Sequence, residues 1–351
     1  MRINGRTAES DLAGVAFHQS ATGSVAAPDA ARQIARARSA LVALILVAVA
    51  LCLGLGIATG LRVDVASALV GAEIIAAALL ASLYWRRRKR GRLSDCLGVL
   101  GFCWLAGIIC GLISLIALRL NFPLRDKILL GADRMVGLDD VRYVGWIASR
   151  DRQVITLMTA AYSLTLPILF LSMAGLALAG DRIRAWRSAL CFVGSLLTTC
   201  VVSIATPAKG LGVWLPAELF EKLPGGAARY FWQSFDEFRA ASDPVLRVNA
   251  IDGVVSFPSF HAVMGLLVIA MWHTRPVMLT AALMWAIPMF AATTPFGGHY
   301  FVDLAGGIVI WSIWALLSAR LLHCHDPVRI TERDLGLAGR STTSPINHPP
   351  Q

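Results

Sequence analysis

Two short polar islands stand in otherwise apolar sequence, and both carry residues able to do chemistry. The first is Phe257-Pro258-Ser259-Phe260-His261; the second is Gly297-Gly298-His299-Tyr300-Phe301-Val302-Asp303. His299 and Asp303 are four apart, so on a helix they share a face and the carboxylate can hydrogen-bond the imidazole. A carboxylate on one ring nitrogen fixes the tautomer and leaves the other nitrogen free as a base or nucleophile. His261 opens the preceding apolar run and can face the pair. Two histidines, one backed by an acid, suit phosphoryl transfer. His299 would attack phosphorus, Asp303 would stabilise the imidazolium, and His261 would protonate the leaving oxygen and later activate the acceptor. Phosphate oxygens need donors. A helix starting at Pro258 offers unpaired N–H groups and a partial positive charge, Ser259 adds a hydroxyl, and Gly297 and Gly298 let backbone approach a ligand closely. A lone histidine at a membrane helix end is usually an interfacial polar residue, whereas an ionisable pair inside a membrane is a functional candidate by default. The rival chemistry is a metal held by His261, His299 and Asp303. No further His, Cys or acid lies close by in sequence, so the expectation is no metal and no cofactor.

The elements that must position these residues are membrane helices. The chain has 351 residues, 56% hydrophobic and 15% charged, with a mean hydropathy of +0.64. Soluble domains carry nearer a quarter charged residues. Repeated apolar runs of about 20 residues then imply an all-α, polytopic membrane bundle. The net charge of +10 does not point to nucleic acid, because the arginines cluster in short loops flanking apolar runs. Cys52, Cys103, Cys110, Cys191 and Cys200 lie inside those runs and read as small core residues. Eight spans are expected, at about 40–61, 66–85, 95–118, 154–180, 188–205, 258–273, 276–292 and 299–322, with a kink at Pro167. A connector at 119–153 reads as one short amphipathic helix around Lys127–Val136. The aromatic stretch 207–257, with Trp214, Phe220, Tyr230, Phe231, Trp232, Phe235 and Phe238, reads as an ordered loop over the membrane face. The expected division is a disordered tail at 1–39, two added helices at 40–92, a six-helix domain at 93–322 and a polar tail at 323–351. His323-Cys324-His325 reads as part of that solvated tail, and Gly306-Gly307 as close helix packing.

Charge sets the expected orientation. The clusters at 86–92 and 181–187 and Arg275 fall on one side if the N-terminus is cytoplasmic, and the long loops at 119–153 and 207–257 fall on the other, as the positive-inside rule requires. His261 and His299, about forty residues apart, then each begin a helix entering from the outer side. An inner bacterial membrane, both termini cytoplasmic and a site facing outward is the resulting expectation.

Pro258-Ser259-x-His261 and Gly298-His299-Tyr300-Phe301-x-Asp303 resemble the second and third signature motifs of the type 2 phosphatidate phosphatase superfamily. The similarity is to the branch that includes inositol phosphorylceramide synthases and bacterial relatives, and it extends over about 95–322. Pro123-Leu124-x-Asp126 through Asp133-Arg134-x-x-Gly137 is similar to that branch as well. The resemblance implies a six-helix core, a phosphorylated-lipid substrate and metal-free catalysis. It also implies His299 as nucleophile, Asp303 as its partner and His261 as general acid. The usual first motif, Lys-x6-Arg-Pro, is absent: Lys209 is followed seven residues on by Pro216. The Ser-Arg that leads the third motif is replaced by Ala292-Thr293. Phosphate would then be held by Lys209, Thr293, Thr294 and backbone amides, or by an outer-loop arginine such as Arg125 or Arg229. Water as acceptor makes a phosphatase; an alcohol such as inositol makes a phosphotransferase. A lipid transporter or scaffold that keeps the fold is the reading from another class.

Overall fold

A computed structural model describes residues 27–60, 62–240, 245–246 and 253–322. The expected N-terminal tail up to residue 26 and the C-terminal tail, with His323-Cys324-His325, lie outside the described residues. The helices are α1 (Ala27–Thr59), α2 (Val65–Arg87), α3 (Gly91–Ala117), α4 (Asp126–Met135), α5 (Asp140–Ala148), α6 (Arg152–Ser163), α7 (Thr165–Leu178), α8 (Arg182–Ala205), α9 (Ala217–Lys222), α10 (Trp232–Ala240), α11 (Phe260–Trp272), α12 (Pro276–Gly297) and α13 (Phe301–Leu322). The chain is an all-α membrane bundle.

Each of the eight apolar runs is helical. Among the described residues, five helices (α1, α3, α8, α12 and α13) are long and apolar enough to cross a membrane, and the bent pair α6–α7 makes a sixth candidate. α11 is a shorter apolar helix of 13 residues. The 51° bend between α6 and α7 has a local cause. Pro167 has no N–H to donate to Ser163, and its ring crowds that carbonyl, so the ladder breaks at Leu164. Two differences from the sequence reading concern the N-terminal half. Helix α1 starts at Ala27, so 27–39 is helix rather than tail, and the connector holds two helices, α4 and α5, rather than one.

α3 and α8 form the centre. Val99, Cys103, Ile113, Trp186, Leu190 and Phe192 are buried there against Leu169 and Met173 of α7 and Met264 and Val268 of α11. At the arginine-rich end, buried Asp95 of α3 accepts from Arg38 of α1 (2.8 Å), from Trp186 Nε1 of α8 (2.9 Å) and from Arg182. A buried carboxylate is tolerable only when paired in this way, and the pairing docks α1 onto the core. Arg184 bonds the Met271 carbonyl and Arg187 the Ala315 carbonyl, so the basic loops gather at one end.

The opposite end carries a cap. Leu129, Leu130, Val144 and Ile147 of α4 and α5 pack with Leu211, Leu215, Ala228 and Tyr300. Phe231, Phe235 and Phe238 pack on Leu115, Ile116 and Leu118 at the end of α3. The aromatic stretch is therefore ordered, as its composition suggests. Strand β1 (Arg62–Val63), between α1 and α2, pairs in parallel with β2 (Val245–Leu246) in the cap.

Candidate active site

Both polar islands end up at the capped end. α13 begins at Phe301, two residues later than the sequence suggests, so His299 and Tyr300 form the turn that enters it. Gly298 caps α12 with φ +74°, a left-handed conformation that favours glycine. Gly297 has a steric reason as well. A Cβ there would lie 2.6 Å from the Tyr162 hydroxyl and 2.9 Å from His299 Cδ2, closer than real carbons come.

His299 is 4% exposed and Asp303 is fully buried. His299 Nδ1 lies 2.8 Å from the Ser256 carbonyl and 3.3 Å from Asp303 Oδ2. A carbonyl only accepts, so Nδ1 carries the hydrogen and Nε2 keeps its lone pair. Asp303 Oδ2 accepts two further bonds, from the Ser256 hydroxyl (2.8 Å) and from the Tyr300 backbone N–H (2.9 Å). The last is the reach-back of an acid at the third helical position to the N-cap N–H. The orienting carboxylate is thus itself held, while its Oδ1 has no partner.

The rest of the α13 N-terminus is satisfied by acids that sequence reasoning placed only in a connector. Asp133 accepts from the backbone N–H groups of Phe301 and Val302, each at 2.8 Å. Asp140 accepts from Phe301 at 3.3 Å. Both carboxylates are buried, so burial, together with the neighbouring Asp133, pushes Asp140 up to about 7. Burial raises Asp133 too. Asp126 ties the cap to the same turn: it accepts from Tyr300 Oη (3.0 Å) and from the backbone N–H groups of Lys209 (3.1 Å) and Gly210 (2.8 Å). Burial raises its carboxyl above the usual range.

His261, in the first turn of α11, faces His299 with ring centroids 5.8 Å apart at 65°. Tyr162 of α6 stacks on the His261 ring, centroids 4.2 Å apart at 18°. No sequence signal singled out Tyr162. α11 starts at Phe260 rather than Pro258; Ser259 is its N-cap and makes no side-chain capping bond. The Ser259 N–H instead donates to the Asp303 carbonyl (2.9 Å), which locks the two islands together.

A cavity of about 730 Å³ opens beside the histidines. His261, His299, Tyr162, Tyr230 and the Pro224–Ala227 turn line one part, and Trp104, Ile108, Leu166, Phe170, Phe192, Leu196 and Met264 line the apolar remainder. That is the size and character of a small-molecule site. Ser259, Lys209, Gly298, Thr293 and Thr294 are not among its lining residues. Lys209 Nζ sits 2.6 Å from Asp236 and 4.8 Å from the centre of the Trp232 ring. Thr293 Oγ1 donates to the Met289 carbonyl (2.9 Å). Ser259 Oγ and Thr294 Oγ1 are buried without a partner. Arg229 lies over Phe220. Among the described residues, no three or more His, Cys, Asp or Glu side chains are grouped to hold a metal ion.

Comparison with curated proteins finds no match, and comparison with solved structures finds none. The family model of the PAP2 superfamily matches residues 127–317, a stretch that runs from α4 nearly to the end of α13 and includes His261, His299 and Asp303. Over half of the chain lies inside that match, and the chain belongs to the PAP2 superfamily.

Proposed function

We propose that the chain is a membrane enzyme transferring a phosphoryl group from a lipid-linked phosphate through a phosphohistidine, at the outer membrane face. One observation carries the reading. The His299 Nδ1–H is shared by a carbonyl and a buried carboxylate, which leaves Nε2 as a nucleophile on the wall of a cavity that also holds His261. Superfamily members hydrolyse or transfer phosphoryl groups, in keeping with that geometry. His299 Nε2 attacks phosphorus, Asp303 stabilises the imidazolium, and His261 gives the leaving oxygen its proton. His261 then takes a proton from the acceptor.

The phosphate needs positive potential without the missing arginines. The first turn of α11 supplies it: Phe260 and His261 line the cavity, and Ser259 leaves that helix end without a side-chain cap. Its unpaired N–H groups and dipole suit an anion. Ser259 is the N-cap of that end, Gly298, Thr293 and Thr294 belong to the last turn of α12, and Lys209 reaches phosphate only by leaving Asp236. The apolar part of the cavity suits a lipid chain. It favours, as a second reading, head-group transfer to an alcohol acceptor, with inositol-phosphoryl transfer to a lipid as the specific form.

The test is single-turnover labelling with a phosphate-labelled lipid, followed by detection of acid-labile phosphohistidine. His299→Ala should form no adduct. His261→Ala should be slow on a lipid phosphate and partly rescued by an aryl phosphate, whose leaving group needs the proton less. A labelled adduct in His299→Ala would overturn the nucleophile. Full turnover in both variants would overturn the histidine mechanism, and no turnover in the wild type would replace the enzyme by a transporter or scaffold.

A further inference from the structure

We infer that Trp104, Phe170 and Phe192 form the floor of an acyl-chain site inside the bundle and set the length of chain that the lipid phosphate can carry. The inference rests on the proposed reaction and deepens it by naming the part of the substrate that is measured. Beyond the histidines, the cavity is walled largely by α3, α7 and α8. α3 and α8 run from the arginine-rich end towards the cap, and α7 runs the other way. On each of the three, the lining residue farthest from the cap is aromatic: Trp104 on α3, Phe170 on α7 and Phe192 on α8. These three rings stand in a row. The centroids of Trp104 and Phe170 are 6.1 Å apart at 49°, and those of Phe170 and Phe192 are 6.0 Å apart at 59°. Both are contact distances for aromatic pairs.

The row closes the cavity from the core to the bilayer. Phe192 is 2% exposed and Trp104 is 50% exposed, so one ring seals the protein side and the other the lipid side. Beneath the row the bundle is solid. Cys103, next to Trp104, and Met173, a turn beyond Phe170, are fully buried, and their sulfurs are 3.8 Å apart. A chain end that reaches the rings therefore meets close-packed side chains.

The depth of the floor matches a membrane lipid. Trp104 is the middle residue of α3, so the floor stands halfway along that span. Ser114 is the α3 lining residue nearest the cap. The helical rise between Ser114 and Trp104 is about 15 Å, or about half the hydrocarbon thickness of a bilayer. With its phosphate at His299, a lipid can thus lay a chain about one leaflet deep inside the protein. The chain is already out of water in the bilayer, so filling the cavity gains little from the hydrophobic effect. Discrimination by length then comes from the steric stop. Forcing extra methylene groups into a packed wall costs about fivefold or more.

The experiment uses the full chain in phosphatidylcholine nanodiscs. Single-chain lysophosphatidates from octanoyl to arachidoyl compete in one reaction, which gives ratios of kcat/KM directly. In the wild type the ratios should stay level up to one chain length and then drop by about fivefold or more. Trp104→Ala and Phe170→Leu lower the floor and should move the drop to longer chains. Gly107→Leu should move it to shorter ones. Gly107 lines the cavity one turn nearer the cap than Trp104, and a Cβ there would meet nothing within 4 Å, so a leucine shortens the site without strain. The opposed shifts separate a floor from general damage, which would move every chain length together. A wild type equally active on all chain lengths would overturn the floor and leave the proposed function standing. A drop that stays in place in all three variants, or that moves the same way in all three, would overturn it as well. A wild type inactive on every lysophosphatidate would remove the proposed reaction instead. The floor is then read from binding, as the rise in melting temperature with each lipid, and the same opposed shifts should appear; their absence would overturn the floor too.

Discussion

Asp140→Asn should make the protein more stable at pH 8 and, by a smaller margin, at pH 5. Asp140 sits beside Asp133 at the α13 N-terminus, with the Asp303 carboxylate also facing Asp133 from α13. Burial first, and the Asp133 charge second, push its carboxyl from 3.8 up to about 7. Between those two values the folded chain binds a proton that the unfolded chain has released, so stability falls as pH rises through the window and stays low above it. At about 1.4 kcal/mol for each tenfold change in proton affinity, the ceiling on this loss is about 4 kcal/mol. Asparagine is neutral at every pH. It keeps an oxygen for the Phe301 N–H, which lies 3.3 Å from Asp140 Oδ1. Its amide can donate to Asp133, as the protonated Asp140 carboxyl does. Asp133→Ala should behave in the opposite way. It strips two 2.8 Å bonds from Phe301 and Val302 and should cost about 1–2 kcal/mol, because Phe301 keeps Asp140 and only the Val302 N–H loses its acceptor. Thermal unfolding in detergent, scanned from pH 5 to pH 8 for the three proteins, measures both effects. An Asp140→Asn protein less stable than wild type at pH 8, or differing from it equally at both pH values, would refute the reasoning.

The gathering of basic loops at one end carries the orientation proposal. Reporter fusions after Arg92 and after Arg187 should report cytoplasm and a fusion near Gly225 the outside; a cytoplasmic signal at Gly225 would move the site to the other face. Lys209→Ala should lower kcat/KM by less than about tenfold, because the side chain is engaged with Asp236 and an exposed pair of this kind is worth under about 1 kcal/mol. A loss of hundredfold or more would show that the ammonium leaves Asp236 to bind phosphate.

The His299–Asp303 pair was legible because four-residue spacing is a local signal, and it survives although His299 stands just outside the helix. The bundle was legible because apolar runs and arginine loops repeat along the chain. Asp126, Asp133 and Asp140 were not legible as parts of the site. Acids after a span look solvated, and their partners are backbone N–H groups more than eighty residues away, which no local pattern records. The quoted similarity around Asp126 and Asp133 marked the positions without a reason for them. Tyr162 looked like any aromatic in an apolar run; the one available hint was Pro167, which forces the helix to end close by. Lys209 was picked for its charge and its place near a membrane end, and Asp236, on α10 in the cap, could not be paired with it from sequence.

The acids at α13 also decide where a phosphate can go. Two helix N-termini meet beside the cavity, and by dipole alone either could hold an anion. At α13 the donors are spent: Tyr300 N–H goes to Asp303, Phe301 N–H to Asp133 and Asp140, and Val302 N–H to Asp133. The negative charge left on Asp303 and on the Asp133–Asp140 pair would repel a phosphate. At α11 the N-cap serine makes no side-chain bond to the helix, no acid is present in the first turn, and Phe260 and His261 reach the cavity wall. On the proposed mechanism the two ends divide the work, α13 orienting His299 and α11 receiving the phosphate whose phosphorus it attacks.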